Sequence, residues 1–126
     1  MPENDEGIRI ITRDELREKI ERGDRFTLVE TLSAMYYRHT HLPGAINLEP
    51  TDDWESAVTT LLPDKNAEIV VYCAGPTCHT AADAARSLTT LGYTNVRDYA
   101  GGKEDWLAAG LPVEGSARAR KPAAAH

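Results

Sequence analysis

Short apolar runs and amphipathic stretches alternate along this chain. Ile8-Arg9-Ile10-Ile11 is an apolar entry that predicts a first strand. Thr12 follows with Glu15 three residues on, the spacing of a capping box. Leu16 and Ile20 lie one helical turn apart and Gly23 comes after them, so a helix is predicted over Thr12 to Arg22. Phe26-Thr27-Leu28-Val29 is short, apolar and β-branched, the pattern of a strand buried on both faces. Ser33 to Thr40 is ambiguous, with room for a helical turn. Leu42-Pro43-Gly44 is a turn signal before a short strand, Ala45 to Leu48. Thr51 to Leu62 reads as a helix, with Asp52 and Asp53 near its positive end and Pro63 past its stop.

Glu68-Ile69-Val70-Val71-Tyr72 is the clearest strand. A Gly-Pro loop separates it from an alanine-rich helix over Thr80 to Leu91, which Gly92 stops. Asn95 to Tyr99 is a last strand, and Gly101-Gly102 leads into a short helix ending near Gly110. Strands alternating with helices imply βαβ units, hence an α/β fold with a central parallel sheet and helices on both faces. No internal repeat is visible. The expected organisation is a flexible N-terminus over residues 1–7, one domain over residues 8–114, and a disordered tail over residues 115–126 that is small, basic and polar.

The chain has 126 residues, enough for one core and too few for two. Its 14 basic and 20 acidic side chains leave a formal charge of −6, which argues for solubility and against a nucleic-acid partner. No apolar run is long enough to span a bilayer. The start, Met1-Pro2-Glu3-Asn4-Asp5-Glu6, is acidic and unlike a signal peptide, so the expected location is the cytoplasm. Thiols stay reduced there, and two cysteines point to reactivity more than to a structural bridge.

Cys73 follows the clearest strand directly, and a helix begins soon after. Ligands of open parallel sheets bind beyond the carboxyl ends of the strands. The thiol is therefore expected over the positive end of a helix, among backbone N–H groups that favour a thiolate. Gly75 permits a tight concave loop, and Pro76 removes one donor while stiffening it. The expected site is a nucleophile, Cys73, beside an anion pocket formed by Ala74, Gly75, Pro76, Thr77, Cys78 and His79. The bland alternative is a buried cysteine acting as a small hydrophobe.

Several segments together resemble single-domain rhodaneses. Val70-Val71-Tyr72-Cys73 and its loop resemble the active-site strand and loop of that family. His41-Leu42-Pro43-Gly44-Ala45-Ile46-Asn47 resembles the upstream His-Ile-Pro-Gly-Ala signature, and Leu28-Val29-Glu30 the strand that usually ends in aspartate. Leu91 to Val96, Gly101 to Trp106, and Leu111-Pro112-Val113 resemble the downstream strand, the Gly-Gly…Trp motif and the family ending. The resemblance runs collinearly from Ile8 to Val113. It implies a three-layer rhodanese-like fold and sulfur transfer through a persulfide on Cys73, as in thiosulfate:cyanide sulfurtransferases. It also implies a small sulfur donor (thiosulfate or a persulfide), a thiol acceptor or a protein partner, and neither cofactor nor metal.

Three positions depart from the pattern. The residue five after the cysteine, often basic in thiosulfate users, is Cys78. The residue six after it, arginine in related dual-specificity phosphatases, is His79, which argues against phosphatase chemistry. Glu30 and Leu32 stand where aspartate and arginine are common. The Cys-x-Gly-Pro-x-Cys loop resembles a subset of the family. Cys78 is either a resolving thiol for a Cys73 persulfide or a small loop-lining residue. A sulfur-carrier or regulatory module, and a thiol-redox or arsenate-reductase-like activity of Cys73 with Cys78, remain alternatives to the enzyme reading.

Among the other side chains, His79 either lends charge to the site or faces solvent, and Thr77 offers a hydroxyl to an anion. His39, His41, Cys73, Cys78 and His79 match no compact zinc pattern. His41 is expected to fix the Pro43-Gly44 turn, Trp54 and Trp106 to pack, and Arg86 and Arg97 to be surface charges.

Overall fold

The computed structural model describes residues 8–117. The flexible segment expected over residues 1–7 lies outside them, as do residues 118–126 of the expected tail. The elements are β1 (Arg9–Ile10), α1 (Arg13–Arg22), β2 (Thr27–Glu30), α2 (Ala34–His39) and β3 (Ile46–Asn47). They continue with α3 (Trp54–Leu61), β4 (Ile69–Tyr72), α4 (Thr80–Thr90), β5 (Val96–Asp98) and α5 (Gly102–Ala108). The strands form one parallel sheet in the order β1-β5-β4-β2-β3. Strand β4 is central. It pairs with β2 from Thr27↔Ile69 to Glu30↔Tyr72, and with β5 from Ile69↔Val96 to Val71↔Asp98.

Both faces of the sheet are covered, which is why β4 is buried at every position and shows no polar alternation. Val29, Ile69, Val71 and Val96 face Val58 of α3 and Ala81, Ala85 and Leu88 of α4. Leu28, Val70 and Tyr72 face Leu16 of α1 and Trp106 of α5. This is the expected three-layer α/β arrangement. Among the described residues no helix is long and apolar enough to cross a membrane.

Local signals decide the helix ends. Glu15 N–H donates to Thr12 Oγ1 at 3.1 Å and Thr12 N–H to Glu15 Oε1 at 2.9 Å, completing the capping box. Gly23 closes α1 in the left-handed region at φ 72°. The ambiguous stretch after Ser33 is a true helix, α2, anchored by the Tyr37 hydroxyl donating to Ala45 O. Helix α3 starts later than expected. Residues 51–53 form a turn instead, closed by Trp54 N–H donating to Thr51 O at 3.0 Å, and Asp53 makes no side-chain cap. Gly115 fits under the end of α2, where a Cβ would meet His39 O at 2.6 Å.

Arg97 is not the surface charge expected of it. It is only 8% exposed, and its guanidinium reaches Glu15 at 3.6 Å and Glu68 at 3.7 Å. Strand alternation turns it onto the α1 face, where the helix lies over its stem.

Asp98 is 5% exposed, and its Oδ1 lacks a hydrogen-bond partner among the described residues. Burial pushes its carboxyl up to about 6. The native state therefore keeps this proton in a window where the unfolded chain has lost it. The contribution of Asp98 to stability is full in acid, falls as pH rises from the ordinary carboxylate range to about 6, and then levels off. We predict that Asp98→Asn raises the melting temperature at pH 7.5, by the equivalent of at most about 3 kcal/mol. At pH 4 the gain should nearly vanish. Equal gains at both pH values, read by thermal denaturation, would refute this account.

Candidate functional site: the loop after β4

Cys73 is the first residue past the central strand and is 2% exposed. The loop behind it is tied to α5. Lys103 N–H donates to Cys73 O at 2.9 Å and Glu104 N–H to Ala74 O at 2.7 Å. The opening N–H groups of α5 have no partner within their own helix, so the loop carbonyls satisfy them. This docking explains the Gly-Gly pair. Gly102 has φ +68°, and a Cβ there would sit 2.6 Å from Cys73 O and 2.8 Å from the Gly75 nitrogen. The buried Gly75 is the other half of the contact, since its Cβ would meet the Glu104 side chain.

The loop turns back through Cys78 N–H donating to Gly75 O at 3.0 Å. That turn brings the two thiol positions together, and Cys73 and Cys78 are joined as a disulfide with their Cα atoms 6.4 Å apart. The expected cradle of N–H donors is not what the paired sulfur meets. Cys73 Sγ lies 3.3 Å from the carbonyl oxygen of Cys78, and no described N–H donates to it. The paired sulfur faces the far limb of the loop, where the Cys78 carbonyl points inward. The N–H groups of Ala74, Thr77 and His79 have no acceptor among the described residues.

Ala74, Pro76, Thr77 and His79 are exposed. His79 occupies the N-cap position of α4, but its side chain makes no capping bond. Cys78 Sγ instead lies 3.3 Å from Thr80 Oγ1, in the first turn of α4. It is Cys78, not the Cys73 expected there, whose sulfur touches the start of this helix.

Behind the loop is a buried polar network absent from the sequence reading. Glu30, fully buried at the end of β2, accepts from Lys103 Nζ at 3.0 Å and from the Tyr72 hydroxyl at 2.7 Å. Lys103 also donates to Tyr36 O at 3.2 Å, and Leu42 N–H donates to the Tyr72 hydroxyl at 3.1 Å. Burial, then the neighbouring Glu30 carboxylate, hold the Tyr72 hydroxyl far above its usual range, so it stays a donor. The available sequence signal was a glutamate closing an apolar strand, since such a charge needs a buried partner. Lys103 supplies it, and its charge is spent there rather than on the loop.

His41 reaches the Pro43-Gly44 turn only through Glu114, whose Oε1 lies 3.4 Å from its Nε2. Its Nδ1 lies 2.7 Å from Tyr37 O, and its ring stacks on Tyr37 at 3.9 Å. Glu114 does the expected job, accepting from Gly44 N–H at 3.1 Å. The bridge between His41 and Glu114 brings that carboxylate to the turn, a long-range pairing invisible in local sequence. Trp106 is buried, with Nε1–H donating to Pro112 O at 2.8 Å, as its packing role requires.

Comparison with known proteins agrees with this geometry. The family model for the rhodanese-like domain matches residues 12–109. An HTH-type transcriptional regulator of Mycobacterium tuberculosis is 38% identical over 104 residues, covering 82% of this chain and 44% of the regulator. The thiosulfate sulfurtransferase PspE of Escherichia coli is 39% identical over 70 residues, covering 55% of this chain and 62% of that protein. The chain thus spans less than two thirds of these relatives. Among solved structures, the rhodanese-like domain of an Anabaena protein superposes with a TM-score of 0.76 at 28% identity, covering 90% of this chain and 83% of that one. With the central parallel sheet and the loop after β4 both in place, the chain belongs to the rhodanese-like domain family.

Proposed function

We propose that this domain is a sulfurtransferase that carries sulfur as a persulfide on Cys73. The observation that carries the reading is the position of Cys73, at the carboxyl end of the central strand with its carbonyl clamped by α5. In the first step the Cys73 thiolate attacks the outer sulfur of a donor R–S–S⁻. The new bond gives Cys73–S–S⁻, and R–S⁻ leaves. In the second step an acceptor thiolate removes the terminal sulfur and restores Cys73–S⁻, a ping-pong cycle. The loop N–H groups of Ala74, Thr77 and His79 are the donors available to the persulfide anion once Cys73 is released from Cys78.

The Cys73–Cys78 pairing favours a second branch. Once the persulfide is protonated, the Cys78 thiolate attacks Sγ of Cys73–S–SH, expels the terminal sulfur as HS⁻, and leaves the disulfide. A dithiol reductant then returns both thiols. On this reading the Cys-x-Gly-Pro-x-Cys loop marks a distinct kind of family member. Similarity to a transcriptional regulator supports a role in which Cys73 reports sulfur supply to a larger assembly.

Intact mass measurement tests the proposal. The reduced protein, exposed to a low-molecular-weight persulfide or to thiosulfate, should gain one sulfur that maps to Cys73. Persulfide donors should load it faster than thiosulfate, because the loop brings no cation of its own to a dianion. A protein that gains no sulfur from any donor would end the proposal.

A further inference from the structure

A cleft of about 420 Å³ opens beside the loop, between the turn that precedes α3 and one face of α4. Thr51, Asp52 and Trp54 form one wall; Thr80, Asp83 and Ser87 form the other. The α4 residues are spaced three and four apart, so they stand in line along one face. The indole N–H of Trp54 donates to Ser87 Oγ at 2.8 Å, which ties the walls together and fixes the ring. The volume suits a small organic molecule.

Two features give the cleft a chemical preference. Its charged lining residues are both carboxylates, Asp52 and Asp83, and its large side chain is an indole. Carboxylates beside an aromatic face recognise a cation and repel an anion. Asp52 has no ion-pair partner among the described residues, whereas Arg86 reaches Asp83 at 2.9 Å and leaves one of its oxygens open. The cleft also adjoins the paired cysteines through Thr80. Thr80 lines it, and Thr80 Oγ1 lies 3.3 Å from Cys78 Sγ, which is bonded to Cys73. Asp83 is one helical turn from Thr80, roughly 5–6 Å between Cβ atoms.

We propose that this cleft binds the ammonium group of a small aminothiol or of its persulfide, and so selects positively charged sulfur partners over anionic ones. The substrate class rests on the sulfurtransferase reading, but the cleft itself can be tested without sulfur transfer. Reduced protein is treated with three methanethiosulfonates that differ only in charge: aminoethyl, methyl and sulfonatoethyl. Rates are normalised to those of a free model thiol. The cationic reagent should react at least about tenfold faster than the anionic one, as two nearby carboxylates would give. In the Asp52→Asn/Asp83→Asn variant that ratio should fall by about fivefold or more, with the neutral reagent unchanged. An unchanged ratio, or an equal loss with the neutral reagent, would overturn the assignment. Charge preference without any sulfur gain on Cys73 would refute the transfer reading and leave the cleft standing. Sulfur gain without charge preference would do the reverse.

Discussion

Replacing Cys73 with serine is expected to abolish sulfur transfer, lowering kcat/KM by at least ~10³-fold. The reaction needs a nucleophile that can hold a second sulfur and release it again, and a hydroxyl does neither. Cys78→Ser should act in the opposite sense on the intermediate. The two sulfurs are partners in the disulfide, and on the proposed resolving branch Cys78 expels sulfide from a Cys73 persulfide. Without it, the persulfide should survive longer and sulfide release should fall. Both effects can be followed by intact mass over time and by sulfide trapping. A Cys73→Ser protein that keeps a tenth of its activity would refute the nucleophile assignment. A Cys78→Ser persulfide that decays at the parent rate would refute the resolving role.

Lys103→Met is expected to destabilise the fold by about 3–5 kcal/mol, the scale for stranding one member of a buried ion pair. Lys103 is 8% exposed and Glu30 is fully buried, 3.0 Å apart. Removing the ammonium leaves the Glu30 carboxylate without its charge partner, held by the Tyr72 hydroxyl alone among the described side chains. That loss is a large part of the stability of an ordinary domain. The double variant Glu30→Leu/Lys103→Met should recover much of it, because no orphan charge remains. Denaturant unfolding of parent, single and double variants reads the coupling. A single variant less than about 1 kcal/mol below the parent would show that the pair is not desolvated as described. The Lys103 backbone also clamps Cys73 O, so any variant that loosens the start of α5 should slow sulfur loading as well.

The sequence by itself determined the layered plan. A short apolar run buried on both faces reads the same whether or not its neighbours are known, so β4 and the place of Cys73 directly after it were legible. The capping box at Thr12 and Glu15 was legible for the same reason, because its hydrogen bonds join residues three apart. Glycine spacing marked the start of α5, although not the purpose of the pair. The start of α3 was misplaced because Thr51, Asp52 and Asp53 suit a turn as well as a first helical turn.

Only the tertiary structure decided what surrounds the cysteine. Gly102 is required by a loop whose Cys73 carbonyl, 29 residues earlier, would strike a Cβ there. Lys103 and Glu30 meet across 73 residues, and Glu114 reaches Gly44 across 70. Local patterning cannot report such pairs, because the favourable term is desolvated charge or backbone docking between elements that only the sheet order brings together. The same holds for Cys78. Its place five residues after Cys73 was plain, but the turn at Gly75 and the docking on α5 set the direction of its sulfur.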